Sequence, residues 1–116
     1  MMFGELIRKR RKGMGLTQKE LAKKVEIDFT YLSKIETGDL PPPSDDVIAK
    51  IAIELEIEAD KLFLLAKKVP PSYRREIIKD KSTKEVLRLV THHPEFRKEL
   101  EQFVQDWRKK QKSRSS

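Results

Sequence analysis

Apolar side chains recur along this chain at intervals of three and four residues between short polar breaks, the pattern of a series of brief amphipathic helices. Phe3, Leu6, Ile7 and Met14 open the series. Leu21, Ala22 and Val25 follow, then Leu32 and Ile35, then Val47, Ile48, Ile51, Ala52 and Leu55, then Leu62, Phe63, Leu65 and Ala66. These five helices are expected to close one core. The breaks carry start and stop signals. Thr17 is an N-cap with Glu20 as its capping-box partner, and Leu16 with Leu21 forms a hydrophobic staple. Asp28 caps the next helix, Ile27 and Leu32 staple it, and Gly38 closes it after Thr37. Ser44 caps a fourth helix with Asp45 and Asp46 in its first turn, and a fifth is expected around Ala59–Lys67.

Pro70-Pro71 marks a break, because neither ring continues a helix. Three more amphipathic helices are expected beyond it. Ser72 reads as the cap of one carrying Tyr73, Ile77 and Ile78. Ser82-Thr83-Lys84-Glu85 reads as a capping box before Val86, Leu87 and Val90. His93 precedes Pro94 at the first helical position, after which Phe96, Leu100, Phe103, Val104 and Trp107 recur over three turns. Residues 108–116 are expected to fray.

Residues 16–38 therefore read as two short helices joined by a tight turn, the helix-turn-helix geometry in which the second helix lies in the DNA major groove. Its outer side carries Phe29, Thr30, Ser33, Lys34 and Thr37, mostly polar, with no apolar task for that side. Residues 3–66 resemble the helix-turn-helix domain of the XRE family, which includes the lambdoid phage repressors. The resemblance rests on Thr17, Gln18, Leu21, Ala22, Ser33, Glu36 and Gly38 at the family's spacing, with Glu20 in the acidic slot.

That resemblance implies an all-α fold, a five-helix repressor-like helix-turn-helix domain (residues 1–69) followed by a helical C-terminal extension (70–116). It implies that Phe29, Thr30, Ser33 and Lys34 read base edges. Lys34 is suited to guanine O6 and N7, and the Thr30 methyl or Phe29 ring to a thymine methyl. Gln18 is implied at a phosphate, where free N–H groups also favour an anion. Thr17, Tyr31, Thr37 and Arg10 are expected at the DNA backbone. Arg11 and Glu36 match a pair that bridges the first and third helices in this family.

Three positions depart from the pattern. Glu26 stands where the turn usually has Gly, and a left-handed non-Gly residue costs roughly 1 kcal/mol. Asp39 and three prolines replace the basic residues that often follow, so no minor-groove contact is expected from that loop. Phe29 replaces a polar side chain at the first reading position.

The net charge is +7 over 116 residues, 39% of them charged, but its distribution is uneven. Residues 1–66 hold 11 Lys/Arg against 12 Asp/Glu, and residues 67–116 hold 15 against 7. Within the first part the cations gather in the first three helices and the acids beyond them, a dipole with its positive end on the expected DNA side. The run Arg8–Lys12 then reads as a phosphate-contacting face.

Leu62, Phe63, Leu64 and Leu65 are four consecutive apolar residues. Either all are core or one face, through Leu64, meets a partner. The extension's stripes would be exposed in an isolated tail, so it is expected to pack on the first domain or a second copy. Phe103 and Trp107 are the expected anchors of a dimerisation module. The basic end could also touch flanking DNA or RNA.

Catalysis, a metal and a cofactor are not expected. His92 and His93 are adjacent with no Cys and no His at i+4. Asp45 and Asp46 are explained by capping, Ser33 and Ser44 lack a nearby base, and the four glycines form no phosphate-cradling loop. No apolar run approaches a membrane span, the N-terminus lacks a secretory core, and zero cysteines exclude disulfides, so a cytoplasmic protein is expected.

The expectation is a sequence-specific DNA-binding transcriptional regulator, a homodimeric repressor or autoregulator at a pseudo-palindromic operator in double-stranded DNA. The alternative is an antitoxin or peptidase-controlled repressor whose extension binds a protein partner, a toxin or a peptidase.

Overall fold

Helix boundaries fall where the caps put them. The structure, a computed structural model, describes residues 1–115, and these form eight helices and no strand. In chain order they are α1 (Phe3–Gly13), α2 (Gln18–Lys24), α3 (Phe29–Thr37), α4 (Asp45–Glu54), α5 (Ala59–Leu65), α6 (Pro71–Lys79), α7 (Lys81–His92) and α8 (Pro94–Ser115). Two compact units divide the chain, Met1–Tyr73 and Arg74 onward.

In the first unit the stripes of α1 to α5 converge on one core that includes Ile7, Leu21, Leu32, Ile35, Ile51, Leu62 and Phe63. Each large side chain buried there stabilises the fold by about 1.5–3 kcal/mol. Gly4 lets α1 press against the end of α3. A Cβ on it would collide with the Ile35 carbonyl oxygen and lie 2.5 Å from that of Glu36. Met14 does not join the stripe, because α1 ends at Gly13 and Met14 sits exposed beyond it.

Four of the five helices in this unit end in one way. The last N–H groups reach back across a left-handed residue: Leu16 to Arg11, Ile27 to Ala22, Ile57 to Ala52 and Lys68 to Phe63, at 2.9–3.0 Å. This is the Schellman closure, which satisfies carbonyls the helix leaves open. The left-handed residues are Gly15, Glu26, Glu56 and Lys67, with φ of 73°, 60°, 54° and 59°. Glu26 therefore keeps the turn geometry of a glycine, and the strain is tolerated.

Three expected caps are different. Ser44 stands at the N-cap of α4 but its hydroxyl makes no capping bond. Ser72 lies inside α6, which Pro71 opens, and its Oγ donates to Asp60 at 2.8 Å. α7 is capped by Asp80, whose Oδ2 accepts from the Thr83 N–H at 2.8 Å and the Thr83 hydroxyl at 2.7 Å, so Ser82 and Thr83 are helical and Glu85 pairs with Arg88 instead. The fifth helix is also shorter than expected, ending at Leu65.

In the second unit α7 packs against α8, and none of its described residues is fully buried. Residues 108–115, expected to fray, continue α8, since nothing in Arg108–Arg114 breaks a helix; Ser116 lies outside the described residues. No helix among the described residues is long and apolar enough to cross a membrane.

Candidate nucleic-acid interface

A capping box starts α2: Glu20 N–H donates to Thr17 Oγ1 and Thr17 N–H to Glu20 Oε1, both at 3.0 Å. The bond from the Thr17 backbone, then that with its hydroxyl, holds the Glu20 carboxyl below the usual carboxylate value. Asp28 caps α3 in turn, Oδ2 accepting from Thr30 N–H at 3.0 Å. Two side-chain caps thus fix the two helices across their turn.

Beneath α3 a buried polar network sets its pose. Arg11 donates from Nε and Nη2 to the two oxygens of Glu36 at 2.8 and 2.9 Å, and from Nη1 to the Leu16 carbonyl at 2.8 Å. Gln18 Nε2 donates to Glu36 Oε1 at 3.1 Å. One carboxylate therefore ties α1, α2 and α3 together in a nearly dry site, and no buried side-chain polar atom among the described residues lacks a partner. A second N–H of the Gln18 amide remains to donate outward.

The outer edge of α3 is open. Thr30 and Lys34 are exposed and Ser33 is half-buried. Lys34 has no side-chain partner among the described residues. Phe29 is 43% exposed, and Lys19 Nζ stands 5.1 Å from its ring centroid, an attraction of about 0.5–1 kcal/mol at such a site. The spacing of residues 19 and 29 could not announce this contact, which exists only once the turn folds the helices together.

The expected backbone contacts divide. Thr37 is exposed, but its Oγ1 donates to the Lys34 carbonyl at 3.1 Å and accepts from Asp39 N–H at 3.4 Å. Tyr31 is half-buried with its ring against the core. Arg10, expected at a phosphate, is committed elsewhere: Nε donates to the Leu55 carbonyl at 2.8 Å, closing the end of α4, and Nη2 lies 3.8 Å from Glu56. Arg8, Lys9, Lys12 and Lys23 remain exposed and unpaired among the described residues. Sequence reading also missed Lys68, whose Nζ binds the Pro43 carbonyl at 2.9 Å and Asp45 at 3.1 Å, anchoring the proline loop after α3. Leu64, on α5, is 51% exposed while Leu62 and Phe63 are buried. The four-residue run is therefore not wholly core.

No group of three or more His, Cys, Asp or Glu among the described residues could hold a metal ion. The arrangement offers a polar, partly cationic helix edge on a rigid two-helix mount.

Comparison with known proteins gives the same address. The helix-turn-helix family profile matches residues 7–62. The HTH-type transcriptional regulator SlrR of Bacillus subtilis (strain 168) is 39% identical over 62 residues, 53% of this chain and 41% of that protein. The uncharacterized HTH-type transcriptional regulator Rv0474 of Mycobacterium tuberculosis (strain H37Rv) is 34% identical over 74 residues, 64% of this chain and 52% of that protein. The chain thus spans about half, or less, of the length of these relatives. A chain of the solved SinR protein/SinI protein complex is similar over 97% of this chain and 99% of its own length, with a TM-score of 0.52 and 25% identity.

Proposed function

The chain belongs to the XRE-type helix-turn-helix family through residues 7–62, and from that premise we propose that it is a sequence-specific DNA-binding transcriptional regulator. The observation that carries the reading is the outward edge of α3, with Thr30 and Lys34 exposed and Ser33 beside them on a helix fixed from below by Arg11, Gln18 and Glu36. In this reading α3 enters the major groove. Lys34 donates to guanine, and Thr30 and Ser33 donate or accept at neighbouring base edges. Phe29 offers an apolar face to a thymine methyl, with Lys19 over its ring adding charge near the backbone. Gln18 and Thr17 hold phosphates, and Arg8, Lys9, Lys12 and Lys23 draw the duplex in.

The regulator acts as a homodimer on a pseudo-palindromic operator with half-sites about 10 bp apart. Phe103 and Trp107 of α8, 64% and 53% exposed, and Leu64 supply the apolar surface that a second copy covers. Sizing with light scattering reads this directly, and a monomer at micromolar concentration would remove the dimer.

Selection of binding sites from random DNA by the full chain tests the whole reading. Lys34→Ala should relax base choice at one position, and Gln18→Ala should weaken all sites about equally. If both variants bound the selected operator as tightly as the parent, the assignment of α2 and α3 would fail.

One observation favours a second reading, in which the C-terminal unit receives a protein partner that controls the repressor. That unit leaves Phe103, Trp107, Val86 and Leu87 exposed, and the solved chain similar to this one along its whole length was captured in complex with SinI protein. A heterologous protein that co-purifies in a fixed ratio and dissolves the homodimer would support it over self-association.

A further inference from the structure

The last two turns of α8 differ in charge from the rest of that helix. From Pro94 to Trp107 it carries Arg97 and Lys98 against Glu95, Glu99, Glu101 and Asp106; from Arg108 to Arg114 it carries five cations and no acid. Arg108, Lys109, Lys110, Lys112 and Arg114 are all exposed, and none has a side-chain partner among the described residues.

Helix stability accounts for only part of this pattern. Cations favour the carbonyl end of a helix within its last turn, which holds Lys112 and Arg114. Arg108 and Lys109 lie further back. The spacing also sets Arg108 against Lys112 and Lys110 against Arg114 at i,i+4, where like charges repel and weaken a helix. The segment keeps its cations where they oppose its own helicity.

At 3.6 residues per turn, Arg108, Lys109 and Lys112 share an arc of about 100°. Phe103, Val104 and Trp107 lie on a different arc, so the cationic and apolar faces of α8 do not compete for one occupant. We propose that Arg108, Lys109 and Lys112 form a second, sequence-independent DNA contact that grips phosphates flanking the site read by α3. The inference rests on the DNA-binding reading above. Charge complementarity selects the partner: three unneutralised cations on one side of a rod match a phosphate backbone, and a duplex held by the first unit is present at high effective concentration for a segment of the same chain. The first 66 residues carry more acids than bases, so the general attraction for DNA that their own charge cannot supply comes from this end.

The test compares the full chain with its R108Q/K109Q/K112Q variant, after circular dichroism shows equal helix content. Anisotropy of a labelled duplex of about 30 bp containing the selected operator is followed through a KCl series. The salt slope of log Kd should fall in magnitude by roughly 2–3, near 0.9 per lost phosphate contact, with the ranking of base-substituted operators unchanged. On a duplex trimmed to the operator alone, parent and variant should converge. Equal slopes and affinities on the long duplex would overturn the proposal. So would a variant with intact DNA binding that has instead lost binding to phosphatidylserine-containing vesicles. A parent without preference for any selected operator would sink the sequence-specific reading alone, since the slope comparison can still be made on unselected duplex.

Discussion

Arg11 and Glu36 face each other through two parallel N–H···O bonds, with side chains only 7% and 1% exposed. Removing one partner strands a charge that water cannot reach, so the loss exceeds what the pair contributes over an apolar substitute. Glu36→Ala should lower the unfolding free energy by about 3–5 kcal/mol. The double substitution Arg11→Met with Glu36→Leu should recover a large part of that, although Gln18 then loses its acceptor. Urea titration of both variants reads the difference, and a single substitution costing less than about 1 kcal/mol would mean water reaches the pair.

Gly4→Ala reverses the usual sign of a glycine substitution in a helix. Ala in place of Gly ordinarily gains about 0.5–1 kcal/mol. At Gly4 the new methyl meets the Ile35 and Glu36 carbonyl oxygens, which belong to backbone and cannot rotate away. A loss of about 1–3 kcal/mol is expected. Gly13→Ala, with nothing within 4 Å of the new atom, should be neutral or mildly stabilising in the same thermal-melt comparison.

How much of this was legible in the sequence varies with the range of the interaction. The caps at Thr17 and Asp28 and the closing Gly38 act within one turn, and local spacing sufficed to place α2 and α3. At α7 local spacing offered two solutions, and Asp80 prevailed over Ser82 because its carboxylate reaches both the N–H and the hydroxyl of Thr83. Long-range partners were beyond such reading. Arg10 lay in a basic run that suggested phosphate, yet the end of α4, 45 residues on, takes its Nε. Glu56 and Lys67 gave no turn signal, since neither is a residue that prefers left-handed backbone; the closure is imposed by the core on both sides.

Those left-handed positions are sites for stabilisation. Lys67 is exposed, has no side-chain partner among the described residues, and holds φ at 59°. Lys67→Gly should therefore gain about 1 kcal/mol by relieving strain. Glu26→Gly should gain less, because Glu26 also accepts from Lys50 Nζ at 3.1 Å across an exposed pair. A thermal shift in the wrong direction for Lys67→Gly, with Glu26→Gly stabilised, would show that φ alone does not set the order.

Acid should loosen the helix-turn-helix through its cap. Hydrogen bonds from the Thr17 backbone and hydroxyl hold Glu20 below its ordinary value of 4.5. A carboxyl depressed in the folded state contributes stability that is complete above the unfolded value and is lost as pH falls through the folded one. Asp80, lowered from 3.8 by the Thr83 hydroxyl and then its backbone N–H, adds the same dependence at α7. The urea midpoint should therefore fall as pH drops from about 5 to about 3. In Glu20→Gln, whose amide cannot titrate, that fall should be shallower, and the variant should approach the parent at the acid end while lying below it at pH 7. Parallel curves for parent and variant across the whole range would show that the Glu20 carboxylate does not support the start of α2.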